Sequence, residues 1–302
     1  MFARAAIYFD EVAKLRSIKR ASERLRIAPS AIDRQILQLE AQLGTRLFDR
    51  SPQGLRLTGA GEVLVDAVRR WRREFSRVEA QIDALKGMRR GEISIALAEG
   101  ATQFLARNLR PFQERYPAIG YKLQVAGSQA VADAVLRGDC DIGLTFNPPE
   151  SHGLRLERTL IYRLGAVMRP DHPLAQKAEV SLLACADHPL IVPDETISLR
   201  DVIDRAWAGA VGGPHRFTIV ASSVTAIKTL ALEGMGIGLL TSVDAFAEID
   251  RGELVFRPLA EEKVPLSVLS LISGSGRPLS VSASLLLQHL GAAMMSEPAV
   301  SI

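Results

Sequence analysis

Apolar residues recur at helical spacing through the first third of the chain and in short, strand-like runs after it. Ile7, Val12 and Leu15 predict a helix from about Ala3 to Leu15. Ser17 is placed to cap a second, short helix over Ile18–Leu25. After a turn at Arg26–Ala28, a third helix starts at Pro29 or Ser30. It carries Ile32, Ile36, Leu39 and Leu43 at helical spacing until Gly44 ends it. Two short helices across so brief a turn form a helix-turn-helix unit, and the Pro- and Gly-containing segment Phe48–Leu57 reads as a hairpin, a wing. One long helix then runs from about Thr58 to Lys86. Its apolar residues Leu64, Val68, Trp71, Phe75, Val78, Ile82 and Leu85 alternate steps of four and three, the period of a seam that wants a partner helix. The competing reading packs this stripe against the helix's own domain. Gly87 and Gly91 break the helix.

From residue 92 strands and helices alternate. Strands are expected at Ile93–Leu97, Tyr121–Val125 and Ile142–Leu144, separated by helices Thr102–Arg115 and Ser128–Leu136. A second series has strands Gly165–Met168, Leu190–Val192, Thr218–Ala221 and Ile237–Leu240, with helices near Leu199–Ala208 and Val224–Glu233. A last strand, Val268–Ile272, and a helix from about Ser280 to Met294 close the chain. The βαβ rhythm predicts mostly parallel sheets. The return at the last strand is similar to the two-lobed architecture of periplasmic binding proteins. Lobe one is then 92–164 plus 267–302, and lobe two 165–266. Ligands of open α/β sheets sit at the carboxyl ends of the strands. Those ends carry Glu99, Gly100 and Thr102, then Ser128 with Gln129, Thr145 with Asn147, Asp194, and Ser222 with Ser223. Thr102, Ser128 and Ser223 also stand where helix caps are needed, a role compatible with ligand contact.

Charge sharpens this division. Residues 1–90 hold 19 Lys and Arg against 11 Asp and Glu, a balance of +8, while the remainder stands at −5. A basic first third points to an anionic polymer as partner of that part alone. Aromatic residues are only 5% of the chain, too few for base-stacking platforms, which favours double-stranded over single-stranded nucleic acid. No apolar run reaches the ~18 residues of a membrane span. The acidic Asp10 and Glu11 and the lack of an apolar run before them argue against a signal peptide. Cys140 and Cys185 are too few for a disulfide framework or a Cys-rich zinc site, so a cytoplasmic protein is expected.

Several motifs stand in a fixed order. Phe9 and Val12 precede Ser17–Leu25; Arg34-Gln35-Ile36, Leu39-Glu40 and Leu43-Gly44 follow; then come Leu47–Arg50 and Leu57–Gly61. Farther on stand Phe112–Pro117, Gly138–Leu144, His172–Ala175 and Glu233–Leu240. In this order and spacing the chain resembles the LysR-type transcriptional regulators over essentially its whole length. The resemblance implies an α + α/β protein: a winged helix-turn-helix (1–58), a dimerising linker helix (59–87) and a two-lobed effector-binding domain (92–302). It further implies a homodimer or dimer of dimers on duplex DNA, a small-molecule effector between the lobes, and RNA polymerase as a further partner. Ser30, Asp33, Arg34, Arg50 and Arg56 are the candidate DNA contacts, the arginines pairing with phosphates. Two positions depart from the family pattern: Pro29 replaces a usual Gln, and Asp33 a usual Ser. Pro29 cannot make the paired contact to adenine that Gln makes. Asp33 would be repelled by phosphate and could accept from cytosine N4, or it could merely complete a capping box with Ser30.

Other constellations are weaker. Gly234–Gly238 resembles a dinucleotide loop but follows a helix and precedes a strand, the reverse of that motif's setting. The five histidines lack paired ligand spacing, His172 reads as a surface residue, and no nucleophile elbow occurs, so no metal, cofactor or catalytic residue is expected. Cys140 reads as a small apolar filler. An enzyme working in the interlobe cleft and a solute receptor for transport are the rival readings. The acids Glu99, Asp194 and Glu195 would make the cleft favour an effector bearing an amine, amide or other donor, oriented by Thr102, Ser128 and Asn147.

Overall fold

The computed structural model describes residues 4–51, 54–85, 91–213, 217–261, 263–276 and 278–297. The chain divides into two compact units, Met1–Ile82 and Asp83–Ile302. The first contains α1 (Arg4–Leu15), α2 (Ile18–Leu25), α3 (Pro29–Leu43), the antiparallel hairpin of β1 (Phe48–Ser51) and β2 (Gly54–Leu57), and most of α4 (Gly59–Leu85). Ser17 caps α2 through the backbone N–H of Arg20, and Gly44 ends α3 in the left-handed conformation. The start of α3 corrects one expectation. Pro29 takes the first helical position and Ala28 the cap, so Ser30 comes two residues too late to cap and no Ser30–Asp33 capping box forms.

The core of this unit joins Phe9, Ile32, Ile36, Leu47 and Phe48 to Val65 and Val68 of α4. The expected seam therefore divides. Leu64 and Val68 pack into their own unit, Val68 being 1% exposed, because α1 and the hairpin lie against the first turns of α4. Burying one such side chain contributes about 1.5–3 kcal/mol, so these two positions need no partner chain. Trp71, Phe75, Val78 and Ile82 remain 44–53% exposed. Leu85 ends α4 with its side chain outside the described residues, as is Gly87. Asp10 ties α1 to α4: it accepts from Lys14 at 2.7 Å, Arg69 at 3.1 Å and Arg72 at 2.5 Å.

The second unit runs β3 (Gly91–Leu97), α5 (Thr102–Arg115), β4 (Ile119–Val125), α6 (Ser128–Arg137), β5 (Ile142–Phe146) and β6 (Leu154–Tyr162). Next come β7 (Leu164–Met168), α7 (Leu182–Ala186), β8 (Leu190–Pro193), α8 (Leu199–Ala210), β9 (Ile219–Ala221) and α9 (Val224–Leu232). It ends with β10 (Ile237–Thr241), α10 (Phe246–Asp250), β11 (Val255–Pro258), β12 (Ser267–Gly274) and α11 (Val281–Ser296). Two five-stranded sheets result, ordered β4-β3-β5-β12-β6 and β11-β7-β10-β8-β9. Each backs its own apolar core, and β5, β7, β8 and β10 are buried along their whole length, as strands covered on both faces must be.

The sheets are mixed rather than mostly parallel. β12 runs antiparallel to β5 and β6, and β7 antiparallel to β10 and β11. The unanticipated strands β6 and β11 are edges. In β6 a bulge skips Glu157 opposite Leu271/Ile272, which breaks the period-two alternation that would have announced it. The glycines at 234–238 serve the backbone: a Cβ at Gly236 would fall 2.3 Å from the Pro189 carbonyl oxygen. Cys140 and Cys185 are buried in different cores and form no disulfide with each other; burial pushes the Cys185 thiol up to about 12. His172 is half-buried rather than a plain surface residue: it caps the turn at Pro173 and packs on His188, with ring centroids 4.6 Å apart.

Candidate functional site

In the first unit Ser30 and Arg34 are exposed on the opening turns of α3, and Arg56 is exposed on β2 opposite Asp49. Arg50 lies on β1 across from Leu55, its side chain outside the described residues. Asp33 is half-buried beside Arg34, at the fifth helical position and beyond capping range. Exposed guanidinium groups at a helix start and a hairpin are of the kind that pairs with phosphates.

The second unit encloses a cavity of about 210 Å³ where the two sheets face each other. Lobe one supplies Ala98, Glu99, Val125, Ser128, Phe146 and Ser267; lobe two supplies Thr196, Ile197, Ser198, Ser222, Val224 and Asp244. Among the described residues, no Lys, Arg or His lines it. Of the expected residues, Glu99, Gly100, Ser128 and Ser222 are walls.

The others are engaged elsewhere. Thr102 is exposed at the start of α5, behind a 3₁₀ turn at Glu99–Ala101. Gln129 pairs with Asp133 at 3.0 Å, and Thr145 is fully buried, donating to the Ser128 carbonyl. Asn147 accepts from the Val268 N–H at 2.9 Å, tying the end of β5 to the start of β12. Asp194 closes its own turn by accepting from the Thr196 N–H and hydroxyl. Glu195 is exposed. Ser223 caps α9 and donates to Glu99. Asp194, Thr102 and Asn147 therefore do not shape the cavity. Local turn chemistry uses Asp194 first, since Asx side chains satisfy nearby backbone groups, while Asn147 joins two strands.

Glu99 reaches across from lobe one to the N-terminus of α9 in lobe two. Its Oε1 accepts from the Ser223 hydroxyl at 3.0 Å and the Thr225 N–H at 2.9 Å; Oε2 accepts from the Val224 N–H at 2.9 Å. Burial pushes this carboxyl up, but the donors of Thr225, Val224 and Ser223 outweigh it and hold Glu99 below the usual range. Asp244 shows the reverse balance. Its Oδ2 accepts from the Thr241 N–H at 2.9 Å and hydroxyl at 2.7 Å, yet complete burial wins and raises its pKa, with Glu99 adding to the rise. Gly100 permits this approach, for a Cβ there would stand 2.0 Å from Asp244 Oδ1. The lobes also meet through Ser128 and Ser198 hydroxyls at 3.0 Å, the Ala247 N–H on Gln103 at 3.0 Å, and the Arg107 guanidinium 4.1 Å from the Phe246 ring.

Asp244, Ser198 and Ser267 were not anticipated, whereas Thr196 stood at a strand end beside Asp194 and does line the cavity. Asp244 follows the carboxyl end of β10, which the strand-end rule already covers. Ser267 begins β12, whose antiparallel direction brings its amino end to the same rim.

Two family models match the chain: "Bacterial regulatory helix-turn-helix protein, lysR family" over residues 3–62 and "LysR substrate binding domain" over 86–295. A RuBisCO operon transcriptional regulator of Allochromatium vinosum is 27% identical over 247 residues, 82% of each chain. The LysR family regulator CbnR, solved full-length with its target DNA, superposes with a TM-score of 0.74 at 20% identity, covering 97% of this chain and 100% of that one. The regulatory domain of CcmR from Synechocystis PCC6803, solved in complex with 2-PG, is 25% identical with a TM-score of 0.61, covering 69% of this chain and 99% of that one. The chain belongs to the LysR family and is a DNA-binding transcription regulator, not an enzyme, with a C-terminal domain that binds a small-molecule effector.

Proposed function

We propose that the effector occupies the 210 Å³ cavity between the two sheets and that the regulator works in the cytoplasm as a homodimer or dimer of dimers. The observation that carries this reading is the cavity's construction. Both lobes wall it, and polar bridges of Glu99 and Ser128 join the lobes beside it, so a bound molecule touches both and can favour one lobe arrangement over another. Ser30, Asp33, Arg34, Arg50 and Arg56 face the duplex. Trp71, Phe75, Val78 and Ile82 meet a partner helix, and contact with RNA polymerase follows on the DNA. No described helix is long and apolar enough to cross a membrane.

Ser222→Trp, which fills the cavity mouth, tests the effector site: the effector-dependent change in promoter output, screened with a metabolite panel, falls at least about tenfold. A variant that responds as the wild type does overturns the reading. Val78→Lys tests the assembly by placing an ammonium in an apolar seam, and light scattering shows the particle mass reduced. An unchanged mass removes α4 from the interface.

A further inference from the structure

In the cavity wall, an acidic side chain of the protein occupies the N-terminus of one of the helices that begin there, α9; α6 and α8 also begin at the wall, without a side-chain cap. The N-terminus of a helix offers unpaired N–H groups and the positive end of the dipole. At α9 those groups are already taken: Val224 and Thr225 N–H donate to Glu99, and the Ala226 N–H donates to Ser223 Oγ. Asp244 forms a second acidic wall, buried and bonded only to the neutral donors of Thr241. The nearby cation on α9, Lys228, is held by both oxygens of Glu248 at 3.0 and 3.1 Å. The remaining polar wall is the hydroxyl groups of Ser128, Ser198, Ser222 and Ser267, which donate or accept.

We propose that Glu99 is a built-in ligand of the α9 N-terminus, so that no effector carboxylate seats at that helix and the wall beside it takes an uncharged or cationic group bearing hydrogen-bond donors. This rests on the cavity being the effector site, and it narrows the chemistry of what enters. Beside α9 a carboxylate would meet Glu99 and Asp244 and, among the described lining residues, no cation. An amide or amine finds acceptors in Asp244 and the serine hydroxyls, with Phe146, Val125 and Ile197 covering its apolar part.

The test uses the full-length chain, with acetate and acetamide as probes at constant ionic strength and chloride as the control. Glu99→Ala vacates the seat without filling it. Its melting temperature falls, and acetate restores it saturably by about 3 °C or more, while acetamide and chloride do not. Wild type gains nothing from acetate beyond the chloride control. An equal acetate shift in wild type, or no rescue of Glu99→Ala, overturns the proposal. Should Glu99→Ala fail to fold, Glu99→Gln decides with a larger probe pair. Isobutyrate binds it at least about tenfold more tightly than wild type, as removing a like charge requires, and isobutyramide binds both alike. Equal isobutyrate affinity in the two proteins overturns it as well. The two readings fail separately. A Ser222→Trp protein that still responds removes the effector assignment and leaves acetate rescue standing. Loss of that response without acetate rescue keeps the assignment and removes the role of Glu99.

Discussion

Asp10 in the first unit and Asp244 in the second are both buried aspartates beside a helix, and their surroundings differ in one respect. Asp10 receives Lys14, Arg69 and Arg72, cations from its own helix and from α4. Asp244 receives a threonine hydroxyl and two of its bonds from that single residue's neutral donors, with Glu99 across the cavity adding negative charge. The same contrast runs through the whole molecule, +8 over residues 1–90 against −5 over the rest. In the basic unit a buried carboxylate acts as a joint between helices, and the cations left over face a polyanion. In the acidic unit Glu99 and Asp244 border a cavity and are bonded to neutral donors rather than to cations, which sets the chemistry of what can enter.

The largest effect that separates the two regions is salt. Binding of the first unit to duplex DNA releases counterions, so affinity for the operator falls about a thousandfold or more between about 50 and 200 mM salt if six or more phosphates are contacted. Arg34→Ala or Arg56→Ala flattens that slope by about one unit each. Binding of an uncharged molecule in the cavity changes little over the same range. Fluorescence titrations at several salt concentrations check both, and a steep salt dependence of cavity binding would break the contrast. Next in size is Asp10→Asn. It removes the charge that three cations share, and destabilises α1 against α4 by about 2 kcal/mol, a figure kept low because the cations are half-exposed. Hydrogen exchange of α1 amides in the full chain reads this, and unchanged protection would show that packing alone holds the helices.

The sequence displayed the first unit almost completely, because its signals are local: Ser17 and Gly44 mark helix ends, and Ile32 and Ile36 mark a buried face. What it did not display was which surface a stripe meets. Leu64 and Trp71 stand in one period, yet Leu64 packs inward and Trp71 is exposed, since α1 and the hairpin cover only the first turns of α4. The cavity was legible in part for a similar reason. Glu99 and Ser128 follow strand ends in the sequence, so the strand-end rule finds them. The partners of Glu99 lie 124 to 126 residues away, and no local pattern announces a carboxylate capping a helix in the other lobe. Asp194, Thr102 and Asn147 satisfied the same rule but do not line the cavity: Asp194 closes its own turn, Thr102 is exposed at the start of α5, and Asn147 ties β5 to the distant β12. Asp33 remains the informative departure on the DNA side. Asp33→Ser is expected to re-rank a set of operator variants in a binding-competition assay. An unchanged ranking would remove it from base reading.

Asp244→Asn gives an effect of the opposite sign to Asp10→Asn and smaller than it. The amide keeps an acceptor for Thr241 and removes a charge that burial disfavours. The second unit is therefore unchanged or stabilised by up to about 1 kcal/mol near neutral pH, measured by urea denaturation. A loss comparable to that of Asp10→Asn would mean Asp244 is a joint after all.

The smallest effect is also the one that tests the contrast most directly, the response of each unit to mild acid. Burial raises the Asp10 pKa, but hydrogen bonds and charge from Lys14 and Arg69 outweigh burial, so Asp10 titrates below the usual aspartate value of about 3.9. Its contribution to stability is present above that value and is lost only as the pH falls through the lowered one. Asp244 titrates above the usual value because burial dominates the Thr241 bonds. Its contribution is full below about 3.9 and is lost as the pH rises through the raised value. Glu99, held low by Thr225, Val224 and Ser223, behaves as Asp10 does and stays charged throughout. Lowering the pH from about 7 to about 5 therefore leaves α1 protection unchanged and increases that of β10 and its following turn. Hydrogen exchange corrected for the intrinsic rate resolves the two segments in one sample. Asp244→Asn abolishes the increase in β10, and an increase that persists in that variant would assign the titration to another group.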